Sequence, residues 1–157
     1  MATEIERKFL VSGDFKAEAE YSQRITQGYL CSVPERAVRV RTKGDKGFLT
    51  IKGIGNAAGT SRYEWEREIP VDEANELLEI CEPGVIDKTR YVINWKGFTF
   101  EVDEFYGDND GLVVAEVELP TEDAQFDKPG WLGEEVTGEV RYYNMMLMKE
   151  PYKTWKK

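Results

Sequence analysis

Hydrophobic and polar residues alternate along most of the chain, in short segments separated by turn signals. Such alternation is typical of half-buried β-strands, because successive side chains point to opposite faces of a sheet. Tight hairpin links at residues 44–47 and 95–97 join the third strand to the fourth and the sixth to the seventh. Eight strands are predicted, at residues 3–11, 21–30, 36–43, 46–52, 61–69, 86–94, 98–105 and 112–119. The pattern predicts a mainly β, antiparallel protein.

Three further segments, at residues 72–81, 121–126 and 139–149, are predicted to be helical. The first places Ala74, Leu77 and Leu78 on one face. The methionines and aromatic residues of the third are interpreted as core packing rather than as a binding surface. The glycine-rich stretch at 53–59 lacks the lysine-serine ending and the following helix of a phosphate-binding loop. We therefore interpret it as a mobile connection between two strands.

The length of 157 residues is that of one domain, and we predict a single domain spanning residues 1–157. The aromatic content of 12% argues against disorder. With 21 Lys and Arg against 30 Asp and Glu, the net charge is -9, which disfavours a nonspecific nucleic-acid binder. An anionic small substrate stays compatible with this charge, because a local site can oppose the global balance.

The chain contains no histidine, which excludes histidine-dependent triads, metal sites and proton shuttles. The two cysteines, Cys31 and Cys81, form no CxxC motif and are expected to be reduced thiols. The first residues lack the apolar run of a signal peptide, and no stretch approaches the ~20 apolar residues of a membrane span. These features predict a soluble, cytoplasmic protein that does not insert into membranes.

One face of seven of the eight predicted strands is almost entirely ionised, and the two signs segregate by strand. An ordinary sheet with its charged face in water is the alternative interpretation. We instead expect an eight-stranded antiparallel β tunnel or barrel with a polar interior and a few covering helices. The ionised residues are Glu4, Glu6, Lys8, Arg39, Arg41, Lys52, Arg62, Glu64, Glu66, Lys88, Arg90, Glu101, Asp103, Glu116 and Glu118.

Seven cations and eight carboxylates on this surface sum to a charge of -1, which makes a poor receptor for a polyanion. Carboxylate oxygens suit hard cations such as Mg²⁺ and Mn²⁺. One or two such ions would make the sum positive and leave the arginines and lysines for phosphate oxygens. From these residues we predict a metal-dependent site for a short polyphosphate.

The first strand contains an ExExK signature, Glu4-Ile5-Glu6-Arg7-Lys8. It resembles the start of the triphosphate tunnel metalloenzymes, the CYTH superfamily. The resemblance extends in order over nearly the whole chain and includes the short bacterial members' C-terminal residues 133–137 and 141–144. The matching positions between these ends are 39–41, 50–52, 62–66, 88–91, 101–103 and 116–118.

The resemblance implies an eight-stranded antiparallel tunnel and an activity on a triphosphate with Mg²⁺ or Mn²⁺. Short members of this length are mostly associated with hydrolysis of inorganic tripolyphosphate. By position, the implied metal ligands are Glu4, Glu6, Glu116 and Glu118, with Asp103, Glu101 and Glu64 nearby. The implied triphosphate-binding residues are Lys8, Arg39, Arg41, Lys52, Lys88 and Arg90, together with Arg62 after the glycine-rich stretch.

The predicted mechanism is direct hydrolysis, with Glu4, Glu6 and Lys8 as the catalytic candidates. An adenylyl cyclase of class IV, a thiamine or nucleoside triphosphatase, and a non-enzymatic polyphosphate or nucleotide sensor are the alternatives. Cyclase relatives often have a His-Phe pair near the N-terminus, which this chain lacks. A homodimer is also expected, because few helices are predicted to cover the apolar outer face of the strands.

Overall fold

The computed structural model describes residues 5–55, 62–121 and 123–155. Two α-helices, α1 (Val71–Leu78) and α2 (Asn144–Lys149), accompany the strands, with four short 3-10 turns between elements. The strands are β1 (Ile5–Val11), β2 (Tyr21–Cys31), β3 (Arg36–Lys43), β4 (Lys46–Gly55), β5 (Arg62–Ile69), β6 (Ile86–Trp95), β7 (Phe98–Phe105), β8 (Val113–Leu119) and β9 (Leu132–Glu135).

All nine strands belong to one antiparallel sheet, in the order β5-β4-β3-β2-β6-β7-β8-β1-β9. The eight predicted strands all form, and β9 is an addition that the alternation did not indicate. Its four residues are too few to show a period of two. Among the described residues, no hydrogen bonds join β5 to β9, so these two strands are the edges of the sheet.

Both predicted hairpin links are present as two-residue turns. Gly44 adopts a φ of 60° between β3 and β4. Between β6 and β7, Lys96 and Gly97 have φ values of 48° and 86°. Two consecutive positive φ angles are those of a type I′ turn, whose twist matches that of the flanking strands.

The helical predictions were confirmed for the first segment and for the second half of the third. α1 buries Ala74 completely against β4, where Gly47 leaves room for the close approach. Residues 121–126 form no helix in the described part, which lacks Glu122. The segment 139–149 is a 3-10 turn, Val140–Tyr142, followed by α2. Tyr143 separates them with φ -74° and ψ 141°, an extended conformation that ends one helical segment before the next begins.

The sheet has an apolar outer face, the face that includes Phe9, Phe100 and Val117. These three side chains are fully buried in one aromatic-rich cluster. Residues of two connections, Phe15 before β2 and Trp131 before β9, pack edge-on in this cluster with ring centroids 6.2 Å apart. Loops as well as helices therefore cover the outer face, and the expected homodimer stays a prediction.

A second apolar cluster occupies one end of the opposite face, which we call the inner face. Leu147 and Met148 of α2 are its centre, and both are buried. Six strands, β1, β2, β3, β6, β7 and β8, contribute side chains to this single cluster. These are Leu10, Tyr29, Ala37, Ile86, Phe105 and Val114. Because strands so far apart in the sheet meet at one short helix, the sheet must curl around α2.

Candidate active site

The strand register places the ionised residues of separate strands on the inner face. Directly paired residues of an antiparallel sheet lie on the same side. Lys8 is paired with Glu116, and Glu116 with Glu101. Asp103 is paired with Arg90 on the next strand. The prediction that these charged residues share one surface is therefore confirmed for the described strands.

Two arginines of β3 form the cationic part of this surface. Nη2 of Arg39 and Nη2 of Arg41 lie 3.8 and 3.7 Å from Oε1 of Glu66 on β5. Thr50 donates its hydroxyl to the same oxygen at 2.5 Å, which fixes the carboxylate between the strands. The Nε atoms of both arginines are buried and have no hydrogen-bond partner among the described residues. Buried donors without partners are rare, and an anion that accepts from them would satisfy both.

Burial is the main reason why the pKa of the Arg41 guanidinium lies below its ordinary value, with the charge of Arg39 adding to the effect. Lys43, two residues further along β3, has the same inward direction. Its pKa is also lowered, first by burial and then by Arg41. Lys43 was not among the predicted site residues, although its parity with Arg39 and Arg41 is the signal that could have identified it. Three inward cations on one strand create a local excess of positive charge.

A buried ion cluster lies deeper on the same face. Lys88 is 1% exposed, and its Nζ donates to Oδ2 of Asp103 at 2.9 Å and to Oδ1 of Asn144 at 3.4 Å. Arg90 forms a two-pronged pair with Asp103 at 2.8 and 3.0 Å and contacts Glu101 at 3.3 Å. Both oxygens of Asp103 are therefore occupied by cations. This arrangement differs from the implied roles of Asp103 as a metal ligand and of Lys88 as a triphosphate ligand.

Burial and charge act in opposite directions in this cluster. Burial would raise the pKa of the Asp103 carboxyl, but the charges and hydrogen bonds of Lys88 and Arg90 outweigh it and lower the pKa to about 2. At Lys88, burial outweighs the attraction of Asp103 and lowers the pKa. At Arg90, burial is outweighed by the Asp103 hydrogen bond, so its pKa is raised. The carboxylate and the guanidinium therefore form a pair that is charged at neutral pH.

A cavity of about 230 Å³ opens on the inner face beside β1 and β8. It is lined by Glu6, Lys8, Glu116, Thr137, Gly138 and Tyr143. Nζ of Lys8 lies 3.5 Å from Oε1 of Glu116. Burial raises the pKa of Glu116, but a side-chain hydrogen bond with Glu6 and the charge of Lys8 reverse the effect, and the pKa lies below its ordinary value.

The carboxylates of Glu6 and Glu116 are suited to a divalent cation. These two carboxyl groups are in hydrogen-bond contact. If both were ionised they would repel each other, unless a cation lay between them. Mg²⁺ is commonly held by one or two carboxylates, with waters and substrate phosphates completing its shell. Within residues 5–55, 62–121 and 123–155, no three acidic or cysteine side chains converge on one metal position. The donors present therefore fit a site that is completed by water and substrate.

The remaining predicted residues lie around these groups or outside the described part. Glu118 is exposed and paired with Glu6 across β8 and β1. Lys52 is paired with the exposed Glu64 across β4 and β5. Glu4 lies outside the described residues, and so does the side chain of Arg62, whose backbone begins β5.

A model of the CYTH domain matches residues 2–145. The chain belongs to the CYTH family. A relative from Acetivibrio thermocellus, named inorganic triphosphatase, is 54% identical over 157 residues, with 99% of each chain covered. A second relative of that name, from Nitrosomonas europaea, is 40% identical over 149 residues, covering 92% of this chain and 96% of its own.

The fold also resembles that of a solved CYTH-like structure. A crystal structure described as that of an inorganic triphosphatase superposes with a TM-score of 0.77 at 37% identity. The match covers 94% of this chain and 95% of that one. In this CYTH chain, no helix in the described part is both long and apolar enough to cross a membrane.

Four residues that the structure brings to the site were not among the predicted site residues. Thr137, Gly138 and Tyr143 line the cavity, and Asn144 contacts Lys88. All four lie after β8: Thr137 and Gly138 follow β9, and Tyr143 and Asn144 belong to the segment 139–149 that was predicted as one helix. Only the resemblance of residues 133–137 and 141–144 to the ends of short CYTH members pointed to this part of the chain.

Proposed function

We propose that this chain hydrolyses inorganic tripolyphosphate to pyrophosphate and phosphate, with one or two Mg²⁺ or Mn²⁺ ions. The observation that most directly supports this proposal is the 54% identity over the whole chain with a protein named inorganic triphosphatase. The inner face supports it independently, because inward arginines and lysines are placed opposite a pair of carboxylates. A cytoplasmic location agrees with two free thiols.

In this proposal, the cations of β3 bind the phosphoryl groups. The buried Nε atoms of Arg39 and Arg41 would donate to phosphate oxygens, and the phosphate would replace Glu66 as the anion beside the Nη2 atoms of the two arginines. Lys8 would contact oxygens at the cavity end, and Lys52 and Arg62 would contribute from β4 and β5. Groups held in this way align the reacting phosphorus and stabilise charge on its equatorial oxygens, which is the main catalytic contribution in phosphoryl transfer.

The carboxylates would hold the metal. Glu6 and Glu116 are the ligands whose contact supports the assignment, with Glu4 and Glu118 as further donors. When bound there, a divalent cation would supply positive charge beside the phosphate oxygens and lower the pKa of water. Glu4 or Glu6 would accept the proton of the attacking water, since the chain has no histidine for this purpose.

Three residues of the buried ion cluster receive a revised role in this proposal. Asp103 and Glu101 hold the guanidinium of Arg90, and Lys88 completes the charge balance of Asp103. A guanidinium held on three sides is positioned in advance, which reduces the entropy lost when it binds a phosphate oxygen. Asp103 and Lys88 therefore act on the substrate through Arg90 rather than by direct contact.

The test is phosphate release from tripolyphosphate, ATP and thiamine triphosphate, each with Mg²⁺, Mn²⁺ or a chelator. We expect metal-dependent phosphate release from tripolyphosphate. In Glu116→Gln, the rate of release should fall by more than the about 10–100-fold that is typical when a group only orients a metal ligand. Glu104→Gln on the outer face is the matched control and should retain activity, because Glu104 contacts Lys16 rather than the inner face. Cyclic AMP production from ATP would instead support the cyclase alternative, and tight binding without turnover would support the sensor.

A further inference from the structure

Two consecutive residues, Tyr143 and Asn144, each contact a lysine of the inner face. The ring of Tyr143 lies over Nζ of Lys8, with 4.6 Å between the nitrogen and the ring centroid. Oδ1 of Asn144 accepts from Nζ of Lys88 at 3.4 Å. We call this pair the C-terminal clamp. It reaches the ends of two side chains that belong to different strands, β1 and β6.

Lys8 is enclosed by the same segment at its backbone. Its N–H donates to Oγ1 of Thr137 at 2.9 Å, and its carbonyl oxygen accepts from the N–H of Val136 at 2.8 Å. At the side chain, Glu116 lies on one side of Nζ and the Tyr143 ring on another. A lysine side chain is flexible and loses considerable rotamer entropy when it is fixed. Because these contacts already restrict the Lys8 side chain in the free protein, less rotamer entropy is lost when a ligand binds.

The clamp is itself attached firmly at both ends. Before it, Glu135 accepts two hydrogen bonds from the guanidinium of Arg7, at 2.8 and 2.7 Å, and a third from Thr137 at 2.7 Å. After it, α2 inserts Leu147, which is 0% exposed, into the apolar cluster of the inner face. The position of the Tyr143 ring is therefore set by a paired strand on one side and by a core helix on the other.

We propose that Tyr143 is a positioning residue that holds the Lys8 ammonium at the cavity, where a triphosphate oxygen would meet it. Asn144 restrains Lys88 through its hydrogen bond, and Lys88 shares Asp103 with Arg90. The inference rests on the proposed function for the identity of the anion. The Tyr143 ring attracts the ammonium through its π face, which leaves the N–H donors of Lys8 free to turn toward a phosphate. The hydroxyl group of Tyr143 has no part in this role.

The experiment compares tripolyphosphate binding, measured by calorimetry in the presence of a chelator, with steady-state hydrolysis. Tyr143→Leu should weaken binding by about three- to tenfold, the effect expected for loss of one cation–π contact. Tyr143→Phe retains the π face and should bind within about twofold of the unchanged protein. The loss in Tyr143→Leu should occur mainly in KM, because Lys8 would contact the anion in both ground and transition states.

The matched control is Tyr63→Leu. Tyr63 is 65% exposed and lies on the outer face of β5, so its replacement should change neither binding nor KM. A double-variant comparison separates positioning from simple space-filling. In a Lys8→Met background, Tyr143→Leu should have no further effect on binding, whereas a structural role of the ring would persist there. If Tyr143→Leu fails to fold, Tyr143→Gln serves as the second variant that lacks an aromatic face.

The outcomes separate this inference from the proposed function. Tripolyphosphate binding without hydrolysis would refute the proposed function, but the comparison of Tyr143→Leu with Tyr143→Phe would still test the clamp. Normal hydrolysis together with unchanged binding in Tyr143→Leu would overturn the clamp and leave the function intact. Equal losses in Tyr143→Phe and Tyr143→Leu would overturn it as well, because the π face would then be irrelevant. If the unchanged protein neither binds tripolyphosphate nor hydrolyses it with metal, both are overturned. If it hydrolyses tripolyphosphate but metal-free binding is too weak to measure, the KM comparison of Tyr143→Leu with Tyr143→Phe decides the clamp.

Discussion

Replacement of Asp103 by asparagine should destabilise the protein strongly. The substitution keeps the shape of the side chain but removes the negative charge between Lys88 and Arg90. Lys88 is 1% exposed, so its ammonium cannot recover solvation from water. Removal of one partner of a buried ion pair leaves the other charge uncompensated, at a cost of about 3–5 kcal/mol. For a chain of this size, that corresponds to a decrease in Tm of about 6–20 °C.

The pH dependence provides a second, independent measure of the same interaction. The carboxyl pKa of Asp103 is lowered from 3.8 to about 2 in the folded protein, because Lys88 and Arg90 outweigh its burial. A lowered carboxyl pKa stabilises the folded state at pH values above the unfolded pKa, and this contribution is lost as the pH falls through the folded pKa. Between about pH 4 and pH 2, the advantage of Asp103 over asparagine should therefore shrink by about 2 kcal/mol.

The assays are thermal and urea unfolding followed by circular dichroism, from pH 7 to the lowest pH at which the protein stays folded. Glu101→Gln is the control: Glu101 also contacts Arg90, but its side chain is 43% exposed, so the cost should be below about 1 kcal/mol. Lys88→Met should restore part of the stability lost in Asp103→Asn, because it removes the unpaired ammonium. A Tm for Asp103→Asn within about 2 °C of the unchanged protein, or a difference that is constant from pH 7 to pH 3, would refute this account.

Two further substitutions test other parts of the structure. Arg41→Lys should lower kcat/KM for tripolyphosphate by at least about tenfold with little change in Tm. The reason is that an ammonium cannot reproduce the planar donor set of a guanidinium. Unchanged kinetics would exclude a direct role for Arg41. Gly84→Ala should lower stability by at least about 2 kcal/mol in urea unfolding, because Gly84 has a φ of 98° and an added Cβ would lie 2.3 Å from the carbonyl oxygen of Met148. Unchanged stability would show that the connection before β6 can move away from α2 at this point.

The alternation of side chains predicted the strands well because the two faces have different chemistry along most of their length. In β6, for example, Lys88 and Arg90 point inward, while Thr89 and Tyr91 point outward. The parity of such residues was sufficient to place charges from separate strands on a common surface. The parity of a residue did not, however, indicate how deeply its side chain is buried. Lys88 and Arg41 have the same inward direction, yet Lys88 is enclosed beside Ile25 and Phe105, which are its partners on neighbouring strands.

Sequence periodicity did not predict the C-terminal part of the site. Tyr143 has an extended backbone conformation between two short helical segments, and its place over Lys8 depends on tertiary packing. β9 is too short to show alternation and is defined by its pairing with β1. The segment 139–149 was predicted as one helix because its apolar residues are closely spaced, which also suits a short helix packed into a core. Local pattern therefore identified the sheet and its charged face, but not the elements that enclose the cavity.

The distribution of charge on the inner face explains why a metal-bound polyanion suits both of its parts. On β3, inward cations lie close enough that Arg39 and Arg41 each lower the pKa of a neighbouring cation. Beside β1, Glu6 and Glu116 are in hydrogen-bond contact. The cations of β3 repel one another in the folded chain, and the two carboxyl groups avoid such repulsion only while they share a proton. A polyphosphate relieves the repulsion among the cations, and a divalent ion relieves that between the carboxylates. Because the ion and the phosphate oxygens also attract each other, one complex would relieve both at once, whereas a free polyanion would meet the carboxylates unshielded.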